Sequence, residues 1–234
     1  MGLSERQRTI FRLVVEGHIS TGEPIGSEWV VAQLSAKCSS ATVRNELLEL
    51  ERAGLLKQPH TSAGRVPTEE GYRAYIEAFM QPAEVSAEVD IVEQDISPIT
   101  TPEEKVRKIA RELSDLAGNI VMVGVDPRSL YSVGMGKMYS APEANNTDIM
   151  RQISIALDRT DDLMDELFEV ASAGDVKILI GKQNPIDENL SLMVTTYASS
   201  EGERIMALLG FMRMRYDRNI ALMQAMKRLL ESDM

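Results

Sequence analysis

The sequence predicts a two-domain α+β protein, in which an N-terminal winged helix-turn-helix precedes a second, larger α+β domain. The chain has 234 residues, enough for one small and one medium domain. Helical periodicity dominates residues 1–80, apart from a turn-rich stretch at 20–26 and a hairpin-like stretch at 55–67, whereas residues 103–234 mix helical stretches with short β-branched runs. Residues 81–102 hold neither period for long, so we interpret them as a linker with room for one strand.

The composition is that of an ordinary globular protein. Hydrophobic residues make up 44% and charged residues 26% of the chain, which favours a packed core over disorder. No apolar run approaches the roughly 18 to 20 residues that a membrane helix needs, and no secretory signal is evident, so we expect a cytoplasmic protein without membrane contact. One cysteine, Cys38, and two histidines, His18 and His60, predict neither a disulfide nor a metal site, and we expect no cofactor.

The charge is distributed unevenly along the chain. The net charge of −11 argues against a nucleic-acid binder, but residues 1–80 carry only −1 and residues 81–234 carry −10. Within residues 37–65 the balance reverses to +2. A modest local excess of this kind fits a small footprint on DNA whose affinity is raised by dimerisation.

Two helices are expected before residue 35. Ser4 and Gln7 have the spacing of a capping box, and apolar residues at helical spacing follow as far as Gly17, where we expect the first helix to end. Residues 20–26 are rich in turn formers, and a short second helix is expected over 27–34.

The third helix is the candidate reader of DNA. Ser39 or Ser40 can cap it, and Gly54 is expected to end it. Its apolar stripe consists of Val43, Leu47 and Leu50. The opposite face of its first two turns presents Thr42, Arg44 and Asn45, side chains that can hydrogen-bond to base edges in a major groove.

A β-hairpin wing is expected to follow. Residues 55–67 contain two short extended pieces around a turn without a single acid, and residues 68–80 read as a helix packing beneath them. In the hairpin, Arg65 is the first candidate for a phosphate or minor-groove contact. The residues expected to contact DNA are Lys37, Ser39, Ser40, Thr42, Arg44, Asn45, His60, Thr61, Ser62 and Arg65.

The second domain is predicted as helices and strands in mixed order. Helices are expected over 102–117, 147–172 and 216–231, and strands over 120–125, 130–138, 177–180, 190–197 and 204–209. The glycines at 134 and 136 lack the spacing of a nucleotide loop, so we interpret them as a turn or bulge. This order favours an α+β module over a parallel βαβ fold.

Two adjacent segments carry a family resemblance. SSATVRNEL at 39–47 and QPHTSAGRVP at 58–67 closely resemble the heat-inducible transcription repressor HrcA family, and weaker matches are found at 24–27, 71–75 and 210–216. The resemblance implies a homodimeric repressor of chaperone operons that binds an inverted repeat in double-stranded DNA and is released on heat stress. It also implies a GAF-like fold for the second domain and a chaperonin that modulates activity.

The chain also departs from the family. It is shorter than typical members, so residues 147–172 are either a reduced form of the family's inserted dimerising domain or part of the GAF-like core. Phe211 and Arg215 replace a proline and an acid of the family's C-terminal signature. The alternative hypothesis is a regulator that senses a small molecule through the GAF-like domain. No set of nucleophile, base and orienting group has a recognisable spacing, so an enzyme is not expected.

Overall fold

The computed structural model describes residues 2–34, 38–61, 63–81, 83–126, 129–171 and 174–232. The chain divides into two compact units, Met1–Met80 (unit 1) and Gln81–Met234 (unit 2). Both units combine helices with antiparallel strands, which confirms the α+β class. None of the helices in the described ranges is long and apolar enough to cross a bilayer.

Unit 1 is built on the helices α1 (Glu5–Thr21), α2 (Ser27–Gln33), α3 (Ser40–Arg52) and α4 (Glu69–Phe79). Helices α1 and α3 place an apolar stripe inward, as their sequence period predicts, whereas α2 buries only Val30. The fully buried side chains include Ile10, Phe11, Val14, Val30, Val43, Leu50 and Tyr72. The capping box expected at Ser4 is present, because its hydroxyl accepts from the backbone N–H of Gln7 and the Gln7 side chain accepts in return.

The expected end of α1 at Gly17 is wrong, since the helix continues for another turn and ends at Gly22, with φ +76°. Gly17 is instead required by packing. A Cβ there would lie 2.6 Å from Cη2 of Trp29, so glycine lets the indole ring of α2 rest on α1. The hydroxyls of Ser20 and Thr21 donate to the Gly17 carbonyl, which occupies the oxygen without breaking the helix.

A hairpin follows α3, as expected. Its strands, β1 (Leu56–Lys57) and β2 (Val66–Pro67), pair antiparallel. The chain just before β2 also bonds to the loop before α2, because Ile25 and Arg65 exchange both backbone hydrogen bonds at 2.9 Å. Gly64 makes this approach possible: a Cβ there would lie 2.4 Å from the carbonyl carbon of Ile25.

Residues 81–102 differ from the expected linker. They contain a helix, α5 (Ser86–Ile96), and belong to unit 2. Val85, Val92 and Ile96 are buried, a helical spacing that the many polar residues between them obscure. Glu88 of α5 also pairs with Arg218, 2.7 Å from Oε1 to Nη1. The interpretation of this segment as a linker with one strand is therefore wrong.

In the described part of unit 2, five strands form one antiparallel sheet. They are β3 (Ile120–Asp126), β4 (Ser129–Val133), β5 (Lys177–Ile180), β6 (Leu190–Ser199) and β7 (Gly202–Phe211), in the order β4-β3-β7-β6-β5. The strand expected over 130–138 is correct only to Val133. Gly134, with φ +100°, ends it, and a short helix, α7 (Met135–Met138), follows in place of the expected turn or bulge.

Helices cover both faces of this sheet. On one face lie α6 (Pro102–Ala117) and α10 (Tyr216–Glu231), both at their expected positions. On the other lie α8 (Thr147–Asp158) and α9 (Thr160–Val170). Their buried side chains, Ile149, Ile153, Leu163 and Leu167 among them, form one core with the sheet residues Ile120, Leu192, Ala207 and Leu209. From the sequence, residues 147–172 are interpreted either as a reduced inserted domain or as part of the GAF-like core. The packing of α8 and α9 against the sheet favours the second interpretation.

The segment 210–216 is held by buried polar contacts. The Tyr216 hydroxyl donates to the Met212 carbonyl at 2.6 Å and lies 2.7 Å from Ser191 Oγ. Burial raises the pKa of this phenol. Nearby, the Asn219 amide donates to Asn119 Oδ1 at 3.2 Å. A Cβ on Gly210 would lie 2.1 Å from the Asn119 amide nitrogen, which explains the glycine at the start of this segment.

Candidate nucleic-acid interface

Helix α3 separates a buried face from an exposed polar one. Val43, Leu47 and Leu50 face the core of unit 1. Arg44 and Asn45 are exposed on the opposite face. Leu48 lies one turn beyond Arg44 and is also exposed, which is unusual for a leucine in a helix that already has a complete apolar stripe.

Hydroxyl groups fix the start of α3. Ser39 is its N-cap: the Oγ accepts from the backbone N–H of Thr42 at 3.1 Å and lies 2.9 Å from the Thr42 hydroxyl. Ser40 Oγ lies 2.9 Å from Ser27 Oγ at the start of α2. The contact between Ser40 and Ser27 joins the start of α3 to the start of α2, whereas the Ser39 hydroxyl is engaged within α3 itself.

The hairpin loop is shaped by a glutamine. The Gln58 side-chain amide donates to the carbonyls of Thr61, at 3.2 Å, and Ala63, at 3.0 Å. The backbone N–H of Ala63 also donates to the His60 carbonyl at 2.9 Å. With the loop's carbonyls turned inward in this way, the side chains of His60 and Thr61 are left exposed.

Helix α3 and the hairpin share one groove. The groove has a volume of about 470 Å³. The α3 side contributes Arg44, Leu47 and Leu48, the hairpin contributes Gln58, Thr61, Ala63, Gly64 and Arg65, and the start of α2 contributes Gly26, Ser27 and Glu28. The structure therefore brings the exposed face of α3 and the hairpin loop to a single surface.

Arg65 lies in the hairpin, as expected, and has an internal partner that the sequence did not reveal. Its guanidinium pairs with Glu51 of α3, at 3.0 Å from Nε and 2.9 Å from Nη2 to the same Oε2. Its side chain is only 12% exposed. The pair forms because a carboxylate 14 positions earlier in the chain lies beside the guanidinium, and a contact of Arg65 with DNA stays a prediction. Arg65 joins the hairpin to α3.

The joining role of Arg65 predicts a stability effect. Replacing Glu51 with glutamine is expected to lower the free energy of unfolding of unit 1 by about 1 kcal/mol, because it leaves a largely buried guanidinium without its counter-charge. The effect stays this small because the Glu51 side chain is 33% exposed, so that water partly screens the ion pair. Glu49→Gln is the matched control, since its partner Arg52 is well exposed. Urea unfolding followed by Trp29 fluorescence reports on unit 1, because the chain has one tryptophan. Equal curves for both variants would contradict the joining role.

Ion pairs account for most of the cations of unit 1. Five of this unit's described arginines lie within 4 Å of a glutamate. The pairs are Arg6–Glu46, Arg12–Glu16, Arg52–Glu49, Arg65–Glu51 and Arg73–Glu69. Arg8 lies over the Phe79 ring. Among the lysines and arginines that the structure describes in this unit, Arg44 and Lys57 alone have neither kind of contact. Arg44 lines the groove shared by α3 and the hairpin, and Lys57 is exposed on the hairpin strand β1.

The expected DNA-contacting residues thus divide into groups. Thr42, Arg44, Asn45, His60 and Thr61 lie on α3 or the hairpin loop, and their contact with DNA stays a prediction. Ser39 and Ser40 lie at the start of α3, and Arg65 is engaged by Glu51. Lys37 and Ser62 lie outside the described residues. Sequence reasoning counted Lys57 in the local basic excess but did not select it, because a two-residue strand gives no period from which exposure can be predicted.

Comparison with known proteins finds one family model and several named relatives that resemble the chain. The family model described as HrcA protein C terminal domain matches residues 72–220. A protein of Erythrobacter litoralis named heat-inducible transcription repressor HrcA is 40% identical over 143 residues, which are 58% of this chain and 41% of that protein. A protein of the same name from Lactobacillus delbrueckii subsp. bulgaricus is 43% identical over 116 residues, 49% of this chain and 33% of that one. The matches thus span about two fifths or less of these relatives.

A solved structure shares the fold. The crystal structure of a hypothetical protein superposes with a TM-score of 0.81, covering 98% of each chain, at 17% sequence identity. At this identity the likeness concerns the fold alone. Among the described residues, no group of three or more histidine, cysteine, aspartate or glutamate side chains is arranged to hold a metal ion.

Proposed function

The chain belongs to the HrcA family, and on that premise we propose that it is a heat-inducible transcription repressor that binds DNA through unit 1. The relatives that carry this name are longer, so their activity is brought to this chain as a proposal. One observation carries it: the two cations of unit 1 without an acidic or aromatic contact, among those described, lie on α3 and the adjoining hairpin.

In this proposal unit 1 is a winged helix-turn-helix, and α3 is its recognition helix. A major groove about 12 Å wide admits one α-helix. Arg44 supplies the fork of donors that suits the acceptors of guanine, and Asn45 the donor and acceptor pair that suits adenine. Thr42 lies one turn closer to the helix start. Leu48 adds an exposed apolar group that can contact a thymine methyl.

The hairpin is the proposed wing. Lys57, His60 and Thr61 are exposed and offer a cation and hydrogen-bonding groups to phosphate oxygens beside the groove. The N-terminus of α3, where Ser39 and Ser40 lie, favours a phosphate through the aligned peptide dipoles. In this scheme Arg65 acts indirectly, because its pair with Glu51 keeps the wing at a fixed position relative to the recognition helix.

Binding to an inverted repeat requires two copies of the reader. Unit 1 has a net charge of −1, so one copy makes few phosphate contacts and its affinity is low. A homodimer places two recognition helices on successive half-sites and combines their binding energies. Unit 2, with a net charge of −10 and a GAF-like arrangement in this proposal, would repel phosphate and serves dimerisation and regulation. A chaperonin is a further proposed modulator.

Heat response follows if warming depopulates the dimer. A monomer keeps one recognition helix and loses the combined affinity, so occupancy of the operator falls. In vitro transcription tests the whole proposal, with a template carrying a chaperone promoter and its inverted repeat and a second template with the repeat scrambled. Repression of the first template only, relieved on warming through the heat-shock range, is the expected result. Equal transcription from both templates at every temperature would exclude this repressor function.

The exposed charge of Lys57 is expected to contact a phosphate, whatever the base sequence. Replacing Lys57 with alanine is expected to weaken binding to specific and scrambled duplexes alike, and to reduce the slope of log affinity against log salt concentration by about 1. Arg12→Ala is the matched control, since Arg12 lies on α1 and its guanidinium is 3.9 Å from Glu16. Fluorescence anisotropy at several salt concentrations measures the slope. An unchanged slope for Lys57→Ala would remove this lysine from the interface.

A further inference from the structure

Unit 2 contains a cavity of about 390 Å³ at one end of its sheet. The cavity lies on the sheet face that α6 and α10 cover. Its apolar walls come from Val106 of α6, Val125 of β3 and Leu230 of α10. Its polar walls come from the β6–β7 hairpin and from the start of α6, and they comprise Tyr197, Ser199, Ser200, Glu201, Arg204, Thr101, Glu103 and Lys105. A volume of this size lies in the usual range for small-molecule sites.

Arg204 is the unusual residue of this cavity. Its side chain is only 7% exposed, in a unit that is otherwise strongly acidic. The aliphatic part packs along the backbone of β3, where a Cβ on Gly124 would lie 3.6 Å from both Cβ and Cδ of Arg204. The guanidinium donates through Nη1 to the Glu203 carbonyl at 3.1 Å and through Nη2 to Glu201 Oε2 at 3.0 Å. Arginine is rarely buried to this degree unless it is paired.

Glu201, the carboxylate partner of Arg204, is poorly placed to form a lasting ion pair with the guanidinium. Glu201 lies on the turn of the hairpin and its side chain is 68% exposed. An ion pair with a partner so open to water contributes little, because solvent screens it and the free glutamate is conformationally mobile. By contrast, a carboxylate held inside the cavity would pair with the same guanidinium away from water, where the interaction is stronger.

The neighbouring Tyr197 lines the cavity and is held in place by a hydrogen bond. Tyr197 pairs directly with Arg204 across β6 and β7, and its hydroxyl donates to the Gly124 carbonyl at 2.5 Å. Burial raises the pKa of this phenol to about 12, so it stays neutral and adds no negative charge to the cavity at neutral pH. The aromatic ring of Tyr197 adds apolar surface to the cavity beside the guanidinium of Arg204.

We propose that this cavity binds a small monocarboxylic acid with an apolar body, whose carboxylate replaces Glu201 on Arg204. The hydrocarbon part would lie against Val106, Val125 and Leu230. A monocarboxylate fits better than a phosphate dianion, because the carboxylates of Glu103 and Glu201 also line the cavity and repel a second negative charge. The N-terminal end of α6 at Pro102 borders the same cavity, and its dipole favours an anion. This inference is independent of the proposed DNA binding.

Chemical-shift mapping tests the site directly. The full chain, labelled with ¹⁵N, is titrated with 3-phenylpropionate and, separately, with the neutral amide 3-phenylpropionamide at fixed pH and salt. Saturable shifts confined to residues around the cavity are expected with the acid, with at least tenfold weaker binding of the amide. Shifts that do not saturate, shifts elsewhere in the chain only, or equal binding of acid and amide would overturn the proposal.

Two variants with opposite expectations complete the test. Glu201→Gln removes the competing carboxylate and is expected to tighten binding of the acid several-fold. Arg204→Gln removes the cation and is expected to abolish the preference for the acid. Because Glu201 is exposed, its variant keeps the fold, so an affinity that is unchanged or weaker in Glu201→Gln would contradict the proposal even if Arg204→Gln were unstable.

Discussion

Replacing Arg44 with alanine is expected to weaken binding to the specific duplex by about 1 to 3 kcal/mol, or roughly 5- to 150-fold, and to relax the base preference at one position of each half-site. The guanidinium is exposed on α3 and has no acidic partner among the described residues, so no internal contact has to break before it reaches a base. Binding to a scrambled duplex should fall much less, because only one phosphate-attracting charge is lost.

The stability of unit 1 serves as the control for this variant. Arg44 packs against little, so unfolding followed by Trp29 fluorescence should be unchanged. Arg52→Ala is the matched variant: Arg52 is also an exposed arginine of α3, but it pairs with Glu49 at 2.6 Å. It should affect specific and scrambled duplexes similarly. If Arg44→Ala and Arg52→Ala changed specificity to the same extent, Arg44 would not read a base.

Gly64→Ala is expected to have a large effect on the fold of unit 1, a loss of about 1 to 3 kcal/mol or more in the free energy of unfolding. The new methyl group would lie 2.4 Å from the carbonyl carbon and 2.5 Å from the carbonyl oxygen of Ile25, and 2.7 Å from the backbone nitrogen of Gly26. All three are backbone atoms, which cannot move aside as a flexible side chain can. The hairpin must separate from the loop before α2, and the paired hydrogen bonds of Ile25 and Arg65 are lost.

A neighbouring glycine provides the control for this prediction. Gly26→Ala adds the same methyl group in the same groove, but nothing lies within 4 Å of the new atom, and φ of −88° suits any residue. It should therefore unfold close to the parent chain in urea, while Gly64→Ala unfolds earlier and binds DNA weakly because the wing is displaced. Indistinguishable midpoints for these two variants would show that the hairpin does not depend on this close approach.

Much of the helical structure could be predicted because it is encoded locally. The capping box at Ser4, the cap at Ser39 and the proline that begins α6 all act within a few residues. The apolar period of α3 also predicted that Arg44 and Asn45 would be exposed, since opposite faces of a helix follow from its 3.6-residue repeat. For the same reason, the exposed part of the candidate interface on α3 could be predicted from the sequence.

The parts that were not predicted depend on neighbours distant in the chain. Gly17 has the appearance of a helix stop until the Trp29 ring is placed over it. The apolar residues of α5 show no clear helical period until the surface of unit 2 that buries Val92 and Ile96 is known. The pair between Glu51 and Arg65, and the order of the sheet strands, likewise arise from tertiary packing that no local period contains.

The same limit applies to the two candidate binding surfaces. Lys57 became notable only when the acidic partners of the other cations were identified. Arg204, on β7, became notable only when its burial beside β3 was known. In both cases the residue type is unremarkable in the sequence, and its significance comes from the charges that surround it in the folded chain.

Fluorescence-anisotropy binding to a duplex carrying the inverted repeat of a chaperone promoter, and to a scrambled duplex of the same length and composition, most directly tests DNA reading by unit 1. Both titrations are made at one fixed salt concentration, since phosphate contacts depend strongly on salt. Preference for the repeat by about 10³-fold or more is the result expected of a specific reader. Equal, weak binding to both duplexes would contradict sequence-specific reading by α3 and the hairpin.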